Sequence, residues 1–184
     1  MTIQATVNGV SFASLGLAVQ KHDIPVLPPT RDYNAEISGM DGEVDFGSDY
    51  GPRTISLECL LMADDATMDY QDKVAALAKM FNAKRGDLVY TFSDLPGKRY
   101  KARYAGTMPI EKVIFDGRVT IPLKMHDPYP EGDEHIVETT IASTPAVVEV
   151  ESIGTVETPP VIVLTNTGVT TITGFTLKIE YPVE

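Results

Sequence analysis

The sequence predicts a mainly β, α+β protein. An antiparallel β domain over residues 1–130, folded as a sandwich or split barrel, carries one helix at about 69–85, and a short β-rich segment follows over 131–184. Three observations carry this reading. Apolar runs of strand length are joined by tight-turn signatures at Asn8-Gly9, Asp94-Leu-Pro-Gly97 and Asp116-Gly117. A single stretch has helical periodicity. Strands and helices do not alternate as βαβ units and no internal repeat is present, so the strands read as antiparallel hairpins.

In chain order, residues 3–7 form a strand that turns at Asn8-Gly9, a dipeptide that tolerates both positive-φ positions of a type I′ turn, into residues 10–12. A second apolar stretch spans 15–19. Pro25, Pro28 and Pro29 then make an extended connector. Residues 32–37 are a short strand. The following fifteen residues, 38–52, are glycine-rich and read either as a long loop ordered by a partner or as a protruding hairpin. Residues 53–62 alternate as a half-buried strand.

In the helix, Tyr70, Val74, Leu77 and Phe81 form one apolar stripe with Ala78 beside it. Thr67 or Asp69 caps its start, Asp69 and Asp72 sit near the positive end, Lys84 and Arg85 occupy the last turn, and Gly86 suits the left-handed position after it. Strands follow at 87–92, 99–104, 110–115 and 118–125. Pro128, Pro130 and the acidic residues 131–134 mark a boundary. Beyond it, residues 147–150, 161–164 and 171–181 read as strands, with turns at Gly154 and Asn166-Thr-Gly168.

Composition narrows the function. Of 184 residues, 43% are hydrophobic and 22% charged, enough to build a core. The first residues lack the basic and apolar regions of a secretory signal, and no apolar run reaches membrane-spanning length. Cys59, the one cysteine, alternates with Ile55, Leu57 and Leu61 and reads as a buried apolar residue. Net charge is −11, and residues 131–184 hold nine acidic residues against Lys178 alone. Such a chain is a poor nucleic-acid clamp, because phosphate contacts need Lys and Arg.

Motifs for catalysis or metal binding are weak. Asp41-x-Glu43-x-Asp45 suggests a calcium loop, but Phe46 and Pro52 stand where an EF-hand needs Gly and Glu. His22, His126 and His135 are scattered, and no nucleophile elbow, phosphate loop or dinucleotide fingerprint occurs. Asp64-Asp65 reads as a surface and capping pair. Lys98, Arg99, Lys101 and Arg103 interleave with Tyr100 and Tyr104, which is either a nucleic-acid patch or, by alternation, a strand with outward cations and inward rings. The sequence offers no catalytic residue, cofactor site or metal site.

Several short pieces in order carry a resemblance: Val7-Asn8-Gly9, Leu15-Gly16-Leu17, Leu27-Pro-Pro-Thr-Arg31, Ile37-Ser-Gly-Met-Asp-Gly42 and Tyr50-Gly-Pro-Arg53 entering a strand. A helix ending before Gly86, a strand with Asp94 after it, Tyr100-Lys-Ala-Arg103 and Met125-His-Asp-Pro-Tyr129 complete the set. Together they resemble the distal tail proteins of long-tailed phages of Gram-positive bacteria. Residues 151–163 resemble the opening of that family's galectin-like second domain, although here the chain stops at Glu184, as a reduced or truncated version would.

The resemblance implies a virion structural protein, made in the host cytoplasm, that forms a hexameric ring at the tail tip. The ring would join the tail tube protein to the central hub or tail-associated lysin and to receptor-binding components, with DNA passing through its channel unbound. Gly39, Asp41, Gly42, Tyr50 and Arg53 are then the candidate ring or partner contacts. The competing readings are a tail-tube or other baseplate ring subunit and, from another class, a carbohydrate-binding β module, which the absence of Trp disfavours. An enzyme ranks third.

Overall fold

The computed structural model describes residues 3–62, 70–113, 116–151, 154–156 and 158–180. The chain divides into two compact units, Met1–Ile136 and Val137–Glu184. In the first unit, β1 (Ala5–Val7), β2 (Val10–Ser11), β3 (Leu17–Asp23), β6 (Arg53–Leu61), β7 (Leu88–Phe92), β8 (Tyr100–Tyr104), β9 (Ile110–Val113) and β10 (Asp116–Met125) form one sheet of order β2-β1-β7-β8-β10-β6-β3, with β9 also on β10. Every pairing is antiparallel. A lone bridge from Ile3 to Val19 brings the two ends of this path together without closing a barrel ladder. The remaining strands, β4 (Thr30–Glu36) and β5 (Glu43–Tyr50), make a separate two-stranded ribbon.

Period-2 burial builds the core. Along β6, Arg53, Ile55, Leu57, Cys59 and Leu61 point inward, and β10 answers in register with Met125, Leu123, Ile121 and Val119 opposite the first four. Phe12 closes the interior, its ring edge-on to Phe81 at 6.0 Å and to Tyr90 at 6.5 Å. Burial pushes the Cys59 thiol up to about 12, as befits an apolar core residue rather than a nucleophile. Pro122 lies within β10, between the segment that pairs with β9 and the segment that pairs with β8. A missing N–H costs little in that gap.

The Asn8-Gly9 turn forms as expected, with φ of 48° and 78°, and Asn8 Oδ1 accepts from the Val89 N–H. Phe12, expected to end a strand, instead starts a 3-10 turn, Phe12–Leu15, because the Ser11 hydroxyl caps it by accepting from the Ala13 N–H. Gly16, φ 73°, ends that turn.

The helix is shorter than expected. The α-helix α1 covers Tyr70–Met80, and Asn82 restarts the chain as a 3-10 turn, Ala83–Arg85, by accepting from the Lys84 N–H. Gly86 therefore ends the 3-10 turn, with φ 87° but an extended ψ, and not the α-helix. Leu77 and Phe81 are buried as the stripe requires, but so is Lys73, whose Nζ donates to the Met62 carbonyl while its stem packs beside Gly16. The caps expected at Thr67 and Asp69, and the Asp64-Asp65 pair, lie outside the described residues.

A second correction concerns Asp116-Gly117. These residues belong to β10, paired with Val113 and Lys112, so the connection falls at 114–115, outside the described residues. Gly117 is required for closeness and not for a turn: a Cβ there would lie 2.9 Å from Ile110 Cγ2.

In the second unit the described residues contain no strand. The Asn166 turn does form, with its side chain accepting from the Gly168 N–H and donating to the Thr170 carbonyl. Yet Val147, Val161, Val163 and Phe175 are between 72% and 92% exposed. β-propensity alone does not make a strand without a neighbouring strand and a face to pack on.

Candidate functional site

The glycine-rich stretch supplies β5, which forms a hairpin with β4 apart from the main sheet. Every residue from Thr30 to Tyr50 is exposed except half-buried Val44. Register places Asn34 opposite Asp45, Ala35 opposite Val44 and Glu36 opposite Glu43, with a bulge between Asp32 and Asn34. Opposed residues share a face and successive residues alternate. One face of the ribbon is therefore Tyr33, Ala35, Val44 and Phe46, and the other is Asn34, Glu36, Glu43 and Asp45. Tyr33 and Phe46 are 47% and 69% exposed, and Ile37 and Met40 beyond them are also open. The ribbon is thus amphipathic, with an exposed apolar face.

Glycines shape the ribbon. Gly39 and Gly42 take φ of 86° and 87° at the tip, where Asp41 stands exposed between them. Gly47, φ 96°, makes the bulge, and Asp45 accepts its N–H.

The foot of the ribbon is closed on itself and meets the turn that follows β10. The Gly51 N–H donates to the Pro29 carbonyl at 2.6 Å, so close that a Cβ on Gly51 would sit 3.3 Å from that oxygen. Arg31 donates to the Tyr50 carbonyl. The Tyr50 ring meets Tyr129 at right angles, centroids 6.3 Å apart. Asp127 accepts from the Tyr129 N–H, so the Asp-Pro-Tyr turn that ends β10 presents this ring to the ribbon.

The five candidate residues are thus divided. Gly39, Asp41 and Gly42 form the tip and Tyr50 the foot, whereas Arg53 is 6% exposed inside the core, its Nε without a hydrogen-bond partner among the described residues. Burial raises the Tyr100 pKa, partly countered by the Arg53 charge. Sequence reasoning missed Tyr33, Val44 and Phe46. The alternation Glu43-Val-Asp-Phe46 was a usable signal, masked by the glycines around it.

Among the described residues no group of His, Cys, Asp and Glu could hold a metal ion. A shallow hollow of about 370 Å³ lies by Thr91, Leu95 and Arg99, across which Arg99 pairs with Asp133 at 3.4 Å. The basic–aromatic strand resolves by alternation, with Tyr100 buried, Tyr104 half-buried and Lys101 exposed. Among the described residues no helix is long and apolar enough to cross a membrane.

Comparison with known proteins agrees with this architecture. Residues 13–125 match the family described as the phage tail protein RIFT-related domain. The chain is 30% identical over 127 residues to the distal tail protein of Bacillus phage SPP1, covering 68% of this chain and 48% of that protein. In fold it is similar to the crystal structure of SPP1 Dit, presented as a paradigm of the hub adsorption apparatus in phages infecting Gram-positive bacteria. There the TM-score is 0.63 at 20% identity, over 72% of this chain and 53% of that one. The chain spans about half the length of these relatives.

Proposed function

Because the chain belongs to the family of phage distal tail proteins, we propose that it is a structural tail-tip subunit that closes into a six-membered ring. The ring joins the tail tube to the central hub or tail-associated lysin and to receptor-binding components, and leaves a channel for DNA. No residue has a catalytic role in this reading. The observation that carries it is the β4–β5 ribbon, an amphipathic arm whose apolar face, with Tyr33 and Phe46, its own unit leaves bare. Neighbouring subunits in a tail cover such a face, and a ring also removes the exposed edges of a small antiparallel sheet. The net charge of −11 suits a channel past which DNA slides without adhering. Residues 131–184 correspond, in this reading, to part of the family's galectin-like second domain.

The test is deletion of residues 40–50. Among the described residues β4 and β5 pair only with each other, so the shortened chain keeps a β-rich circular dichroism spectrum and melts cooperatively but forms no rings. An unfolded product would make the ribbon part of the core, and rings that persist would remove it from the assembly.

A further inference from the structure

The polar face of the ribbon carries a charge mismatch that its own chain leaves unanswered. Glu36 and Glu43 stand directly opposite one another, with Asp45 next on the same face. Asn34 donates to Glu43, and Asp45 accepts from Gly47. Among the described residues, no cation lies within ion-pair distance of any of the three carboxylates. Between Thr30 and Tyr50 six carboxylates face Arg31 alone. Directly opposed like charges destabilise a strand pair.

The outer face of the main sheet has the converse mismatch. Arg103 of β8 is directly opposite Lys124 of β10. Lys101 lies two residues along on the same outward side, since Tyr100 and Ala102 point into the core. Arg103 is partly answered, with Nε 3.7 Å from Asp87 and Nη2 3.1 Å from His126 Nε2. Lys101 and Lys124 have no carboxylate partner among the described residues. In a chain this acidic, Lys101, Arg103 and Lys124 make a distinct basic stripe.

We propose, within the ring reading above, that the acidic face of β4–β5 docks on the Lys101–Arg103–Lys124 stripe of a second copy of this chain. Each surface relieves the like-charge repulsion of the other. The two surfaces differ, so the contact is head to tail and repeats around a ring. The acidic face is then spent on the ring neighbour, and the apolar face with Tyr33 and Phe46 is left for the tail component stacked above or below.

The test is a charge exchange in the full chain. One variant carries Lys101→Glu and Lys124→Glu, the other Glu36→Lys and Glu43→Lys, and thermal melts check that both fold. Wild-type protein forms rings, seen by sedimentation and electron microscopy, that weaken about tenfold or more as salt is raised from low to high. Each variant alone loses the ring species. Their equimolar mixture regains it, because each altered surface now meets its complement on the other variant. If a reversed variant does not fold, Lys→Gln and Glu→Gln at the same positions are read instead, with loss of the salt dependence expected. Variants that form rings alone as well as wild type, or folded variants whose mixture stays monomeric, overturn the docking while the ring reading stands. Wild-type protein that forms no ring at any salt overturns both.

Discussion

Replacing two phenylalanines in turn by alanine separates the core of this protein from the surface it keeps bare. Phe81 is 3% exposed and edge-on to Phe12 at 6.0 Å. Its truncation removes a buried ring and leaves a cavity, which costs about 3–5 kcal/mol, the aromatic pair accounting for about 1 kcal/mol of that. Phe46 is 69% exposed, so folding hides only about a third of a side chain worth about 1.5–3 kcal/mol when fully buried. Its loss costs about 0.5–1 kcal/mol. Urea unfolding of the two variants, followed by circular dichroism, reads the difference. With a slope of about 2 kcal/mol per molar, Phe81→Ala lowers the midpoint by about 2 M and Phe46→Ala by less than about 0.5 M. A Phe46→Ala loss as large as that of Phe81→Ala would show that the ribbon packs on its own chain, and the reasoning that makes it an assembly surface would fail.

Other outcomes follow from the same geometry. Gly16→Ala forces an L-residue to φ 73° with its Cβ 3.2 Å from the Met62 carbonyl and 3.1 Å from Lys73 Cδ; a loss of about 1–3 kcal/mol in chemical unfolding is expected, and no loss would mean the turn relaxes freely. Leu77→Ala costs about 2–5 kcal/mol because Leu77 is 1% exposed, and an unchanged melting temperature would show that α1 is not packed as described. Cys59 resists thiol reagents at pH 8 in the folded protein and reacts on unfolding, since it is buried; fast labelling of native protein would contradict this. Its thiol moves from the ordinary 9.0 to about 12 on folding. Both states are neutral below pH 9, so stability is unaffected there. Above pH 9 only the unfolded chain ionises, so stability falls by up to about 1.4 kcal/mol per pH unit towards 12. Cys59→Ala should flatten that part of the pH profile relative to wild type.

Much of the first unit was legible because its signals are local. Alternation gave β6, the Asn8-Gly9 dipeptide gave its turn, and the Leu77–Phe81 stripe gave the buried side of α1. The errors arose where one residue type serves two physical ends. Gly117 looked like a turn residue but is needed because Ile110 Cγ2 crowds the place a Cβ would take. Gly39, Gly42 and Gly47 left a loop and a protruding hairpin both open, and it is the hairpin that forms, their positive φ angles shaping its tip and bulge. Ser11 and Asn82 redirected Phe12 and the end of the helix through side-chain caps whose competition with strand and helix no pattern of hydrophobicity shows. The candidate site was half legible. Its position followed from the order of short pieces around residues 37–53, but its two faces depend on the β4–β5 register, and the opposition of Arg103 to Lys124 depends on strands twenty residues apart in sequence.

The most direct measurement is negative-stain electron microscopy of the purified full chain at high concentration and low salt. A ring-forming tail-tip subunit gives particles with six-fold symmetry and an open centre. Uniform small particles with no ring at any concentration would contradict the account at its centre.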